Sequence, residues 1–203
     1  GKIEQCFVAA GILAWLHILN DHAEDAKELL LNFQKKAEQE ASPKLLSNLM
    51  AMQIRIGLYQ GKTAEAVEWM EQAPSEELEF STMERFRYLT KVRVYLLMGK
   101  FEKAITLLQR IQYYAEMMHR TYIFMEANLL LAITQYRMGN EKWMETLQKT
   151  VNQAEDYHFA RLISREGAAV NRMFKEMNWN GKNTKFIQAV LTETEKIALA
   201  YPG

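Results

Sequence analysis

The side chains best suited to chemistry sit close together near the amino-terminal end: His17, Asp21 and His22. On a helix, His17 and Asp21 are four apart and share a face. Two imidazoles and a carboxylate are the groups that hold a divalent metal or pass a proton. The set stops there, because no cysteine or third histidine lies nearby and no His-Glu-x-x-His arrangement occurs. Ligand count therefore favours an ordinary helix end with Asp21 at its turn, and no metal is expected. Cys6 has no base beside it in sequence and reads as a small buried apolar residue. His119 and His158 fall at interhelix turns. No serine stands in a Gly-x-Ser-x-Gly elbow, and no Gly-x-x-x-x-Gly-Lys-[Ser/Thr] phosphate loop is present. Catalysis and a cofactor are not expected; an all-α enzyme, the rival reading, would have to use the His17–Asp21–His22 corner.

Residues apt for binding are more regular. Arg55 and Arg93 each stand six residues before a glycine, Gly61 and Gly99. Tyr59 stands two before Gly61, and Tyr136 three before Gly139. Together with Trp15, Asn48, Glu126 and Arg137 they would line the inner face of a helical array. Arginines in register there would hold a carboxylate or phosphate, with aromatics adding apolar contact. The competing reading is a solvated face on which Arg55 and Arg93 pair with neighbouring acids.

That equivalence requires repeated elements, and the chain supplies them. Gly61, Gly99 and Gly139 are 38 and then 40 residues apart, each closing one apolar helical run and opening another. Asn20-Asp21 makes a similar break before the first of them. A period near 40 with one turn per unit predicts stacked helical hairpins. Helices are predicted over about 3–19, 22–39, 42–60, 63–72, 79–98, 101–118, 121–138 and 141–156. Ser42 would cap the third helix, Pro43 begin it, and Ser75-Glu76-Glu77 form a loop. Five residues after Asp21, Gly61 and Gly99 come Ala26, Ala66 and Ala104, small enough for the second helix to lie close to the first; Met144 breaks the pattern in the fourth unit. Shorter helices follow over about 159–164 and 168–177, then a last one over 184–200. The expected fold is all-α, a right-handed superhelical stack of antiparallel pairs. Residues 1–156 form four hairpins similar to tetratricopeptide repeats, and 157–203 irregular capping helices leading to a missing domain.

Composition narrows the partners. The 203 residues carry 25 basic and 25 acidic side chains, and no basic run supplies the face a nucleic-acid reader needs. One cysteine excludes an internal disulfide and fits a reducing cytoplasm. The longest apolar stretch, Phe7 to Leu16, is too short to cross a bilayer. No direct nucleic-acid contact and no membrane are expected. The start at Gly1-Lys2, without methionine, reads as a piece of a longer protein. Twelve methionines, among them Met50, Met52, Met98, Met117, Met118, Met125 and Met138, read mainly as core filling. Tyr113, Tyr114, Tyr122 and Phe124 flank one turn and become a protein-contact patch if two or more are exposed.

Two segments carry a resemblance. Gly99-Lys100-Phe101-Glu102-Lys103-Ala104-Ile105-Thr106-Leu107-Leu108 leads into Ala115-Glu116, His119-Arg120, Glu126 and Leu129-Leu130-Leu131-Ala132. Phe159-Ala160-Arg161-Leu162-Ile163-Ser164-Arg165-Glu166-Gly167 follows, with Met173 and Phe174 beyond it. Both resemble the repeat region of large ATP-dependent LuxR-family transcriptional regulators of the maltose-regulator type. Arg165 stands where that family usually has aspartate, and His158 where glycine often precedes the aromatic. The resemblance implies a bacterial sensor region that binds a small-molecule inducer or a regulatory protein. It also implies contact with the regulator's ATPase and DNA-binding domains, and self-association as a further partner class. A free-standing repeat adaptor that grips a peptide is the alternative.

Overall fold

In the computed structural model, residues 2–20, 22–39, 43–75, 80–81 and 84–201 are described. They form eleven α-helices and no strand. These are α1 (Lys2–Leu19), α2 (Ala23–Gln39), α3 (Pro43–Tyr59), α4 (Thr63–Gln72), α5 (Arg85–Leu97), α6 (Phe101–Met117), α7 (Thr121–Arg137), α8 (Lys142–Asp156), α9 (Ala160–Ser164), α10 (Ala168–Glu176) and α11 (Thr184–Ala200). Among the described residues, no helix is long and apolar enough to cross a membrane. Contacts divide the chain into two compact units, residues 1–94 and 95–203.

One turn chemistry recurs. After α5 the Lys100 amide donates to the Tyr95 carbonyl at 2.8 Å, across Gly99 at φ +68°. A residue in this left-handed conformation, bracketed by a bond from the next amide back to the helix's last turn, is how helices commonly stop. The same closure runs from Lys62 to Gly57 and from Asn140 to Gln135, both at 2.9 Å. Two more closures, Arg120 to Ala115 at 2.7 Å and Phe159 to Ala154 at 2.8 Å, use His119 and His158 in the left-handed position. So these five turns share one design, whereas α4 ends in extended backbone at Ala73.

In the first unit, α1 packs on α2, α2 on α3, and α3 on α4. Ala26 and Ala66 are buried to within 1%, as close helix approach requires. Helix α2 buries Ala26, Leu30, Phe33 and Ala37, a stripe spaced by three and four. The fifth helix begins later than residue 79. Phe80 and Ser81 are not helical; instead Phe80 stacks on Tyr88 with ring centroids 4.5 Å apart, and the Ser81 amide donates to the Tyr88 hydroxyl at 2.8 Å. The fully buried Tyr88 thus folds the incoming chain back along the helix instead of letting it extend the helix. Asp21, the Ser42 cap, Glu76-Glu77 and the start at Glu79 lie outside the described residues.

In the second unit, α7 is the centre. It packs on α6 and α8, and α9 and α10 also reach it. Its buried residues run around the helix, from Met125 and Glu126 through Leu129 and Leu130 to Ile133 and Thr134. Ala104 repeats the buried alanine. Met144, at the equivalent place in α8, is exposed. Trp143 takes up that first turn, edge-on to Tyr136 at 5.2 Å. The tail folds back, with α9 touching α7 and α8, and α11 covering α9 and α10. Gly167 makes the corner before α10 at φ +59° and ψ −129°, a conformation essentially restricted to glycine.

Methionine filling is only part of the truth. Met52, Met125 and Met173 are buried, but Met50 on α3, Met117 at the end of α6, and Met118 and Met138 just past the ends of α6 and α7 are exposed.

Candidate functional site

The eight sequence-chosen binding residues fall into separate clusters. In the first unit Trp15 on α1 meets Tyr59 on α3 edge-to-face at 5.0 Å, and the Arg55 guanidinium lies over the Trp15 ring at 5.1 Å. Arg55 and Asn48 are buried, so this aromatic–cation group ties α1 to α3. Arg93 is half-buried and donates to the Leu89 carbonyl of its own helix at 3.0 Å. In the second unit Glu126 is buried and paired with Arg165 at 2.7 Å. Tyr136 donates its hydroxyl to the carboxylate of Glu176 at 2.8 Å. Burial first, and then that carboxylate, hold its pKa above the ordinary phenol value. Arg137 is exposed and lies over the Phe101 ring at 5.7 Å.

A pocket that these residues do not line lies within the first unit. A cavity of about 600 Å³ opens between α3, α4, the Pro74–Ser75 segment and the head of α5. That volume is ample for a small organic ligand. Its apolar walls are Pro43, Leu46, Met50, Trp69, Ala73 and Pro74; Ser47, Gln72 and Ser75 add polar groups. Glu84 and Arg87 complete the lining, paired at 3.1 Å and both buried. The Arg87 Nε has no hydrogen-bond acceptor among the described residues. Behind the pair, Lys91 donates to the Pro74 carbonyl at 2.7 Å and holds the loop against α5. Such a pocket suits a ligand with a largely apolar body. Counting back from glycines missed it, since that register selects Arg93 and passes over Arg87. The available signal was opposite charges three apart, Glu84 and Arg87, at the head of an apolar helix.

A second surface lies in the second unit. Tyr113, Tyr114, Met117, Met118, Tyr122 and Tyr157 are all exposed. Tyr113 and Tyr114 pack edge-on at 5.6 Å, while Phe159 bridges Tyr122 and Tyr157 at 5.3 and 5.9 Å. More than two of the flagged aromatics are therefore exposed, which is the condition set for a protein-contact patch. Tyrosine and methionine on a surface are what protein interfaces enrich.

Comparison with known protein families finds one match over residues 2–179, to the model of the MalT-like TPR region. Neither the curated proteins nor the solved structures give a significant match.

Proposed function

The chain belongs to the MalT-like TPR region family, and from that premise we propose that it is the effector-binding and partner-binding repeat region of a bacterial, cytoplasmic LuxR-family transcriptional regulator. The observation that carries the binding part is the cavity walled by Trp69 and Met50 and lined by the Glu84–Arg87 pair. A small inducer seated there touches α3, α4 and the head of α5 together. It therefore favours the arrangement in which the three are fixed, and a ligand shifts an equilibrium only by such differential contact. The exposed Tyr113–Met118 corner supplies the surface for a regulatory protein or another domain of the same regulator. No step of bond-making is assigned to the chain in this reading.

Two measurements test it. Sequence on either side of this segment in its gene is expected to encode a phosphate-loop ATPase module upstream and a helix-turn-helix domain downstream. If both are absent, the free-standing adaptor takes precedence. A thermal-shift screen of small sugars and aromatic acids is expected to give ligands that raise the Tm of the chain, and Trp69→Ala is expected to abolish the shift. A shift that survives Trp69→Ala would remove the cavity from the proposal.

A further inference from the structure

The α1–α2 turn gathers a donor set that spacing in the sequence left incomplete. His17 lies in the last turn of α1, His22 just ahead of α2, and Asp25 in the first turn of α2. Nδ1 of His22 is 3.3 Å from Oδ2 of Asp25, and Nδ1 of His17 is 3.9 Å from the same oxygen. One donor atom from each of the three residues lies within 4.8 Å of the other two. In a tetrahedral zinc site with bonds of about 2.0–2.1 Å, neighbouring donors stand about 3.3 Å apart. None of these separations exceeds that spacing by more than about 1.5 Å.

Backbone bonds hold the residues in place. The His22 amide donates to the His17 carbonyl at 2.8 Å, and the His22 carbonyl accepts from Ala26 at 3.2 Å. The Asn20 side chain donates to the Leu16 carbonyl at 2.7 Å. This is the closure that ends α3, α5 and α7. At those turns the equivalent positions hold Gly57, Lys62 and Glu65; Tyr95, Lys100 and Lys103; and Gln135, Asn140 and Trp143. The closures after α6 and α8 hold Ala115, Arg120 and Ile123, and Ala154, Phe159 and Leu162; the fold offers the same spacing six times, and a full set of metal donors fills it once.

Helix capping explains part of the cluster. A carboxylate in the first turn of α2 favours the positive end of the helix dipole, and His22 is its neighbour at i,i+3. Capping does not explain why His17, from the other helix, turns its Nδ1 toward the same oxygen. We propose that His17, His22 and Asp25 bind one Zn²⁺, leaving a coordination position for water or for a donor carried by a partner. Two imidazoles and one carboxylate suit zinc. All three side chains are substantially exposed, from 37% to 60%, so the ion enters without any opening of the fold. Bound there, it clamps α1 to α2. The site does not depend on the effector cavity.

The test uses the whole chain, stripped with chelator and titrated with ZnCl₂ by calorimetry, with bound metal counted after dialysis. One Zn²⁺ per chain is expected, with a rise in Tm. His17→Ala, His22→Ala and Asp25→Asn are each expected to weaken binding at least about tenfold, the smallest loss seen even for outer-sphere partners. His119→Ala combined with His158→Ala should leave it unchanged. On the unaltered chain, histidine side-chain ¹⁵N resonances provide a reading independent of any variant's folding: those of His17 and His22 should shift with Zn²⁺, and those of His119 and His158 should not. Zinc uptake that survives loss of His17 or Asp25, or no uptake at micromolar Zn²⁺, overturns the proposal.

Discussion

Two buried ion pairs, one in each unit, have opposite logic. Glu126 and Arg165 sit 2.7 Å apart although 39 residues separate them in sequence, joining α7 to the residue that caps α9. Arg165 also lies over the Tyr122 ring at 5.6 Å. Glu84 and Arg87 are 3.1 Å apart within a single turn, and both line a cavity. The first pair fixes where the tail docks, so its worth is architectural. The second fixes nothing distant; it keeps a paired cation and carboxylate at a cavity wall. A buried pair thus marks structure or function according to what stands beside it.

The largest expected effect comes from breaking the architectural pair. Glu126→Gln leaves Arg165 buried without its carboxylate and should cost about 3–5 kcal/mol, read as a lower urea midpoint for the second unit. A Glu126→Leu/Arg165→Met double variant should recover much of that loss. If it recovers none, the charges do more than dock the tail.

Next comes Gly167, which turns the chain from α9 into α10 beside that pair. A Cβ there would stand 3.1 Å from Ile197, and the backbone conformation is one that glycine alone adopts readily. Gly167→Ala should cost about 2–3 kcal/mol. Gly139→Ala, where a Cβ meets nothing within 4 Å, should cost only about 1 kcal/mol for the left-handed backbone. Equal losses in chemical denaturation would mean that Ile197 yields freely.

Arg87→Met sharpens the contrast from the other side. Because the carboxylate left behind, Glu84, lines a cavity that water can enter, the loss should be smaller, about 1–2 kcal/mol, while ligand-induced Tm shifts disappear. Glu126→Gln should keep those shifts. The reverse result would move the binding site to the second unit.

The smallest effect concerns Tyr136. Its protonated form is favoured in the fold by burial and by Glu176, so its pKa is raised. Its contribution is therefore complete below the ordinary phenol pKa and is lost as pH rises through the raised one. Tyr136→Phe should cost under about 1 kcal/mol at neutral pH and flatten the alkaline limb of a Tm–pH curve.

Most helices were legible because their ends are written locally, in glycine turns and in Pro43 and Pro74. The start of α5 was not, since it is set by Tyr88 capturing Phe80 and Ser81, a contact invisible to periodicity. The candidate site was legible only in pieces. Trp15, Arg55 and Tyr59 did come together, because α1 and α3 are neighbours in the array. Arg165 stands out in the sequence as a departure from the family pattern, but its partner Glu126 belongs to α7 and only the folded tail reveals the pairing. Sequence spacing points to Asp21, four residues from His17 along one helix, whereas Asp25 reaches His17 only across the turn between α1 and α2.

The turn closures consist of main-chain bonds alone, and this separates inheritance from invention. The amide that seals each helix end belongs to whatever residue occupies that place: His22, Lys62, Lys100, Asn140, Arg120 or Phe159. The sealing bond itself makes no use of that residue's side chain. Each turn is therefore a socket into which new chemistry can be exchanged one residue at a time while the scaffold is passed on unaltered. A lineage of such arrays can explore ligands, charges and partners at its corners without risking its fold.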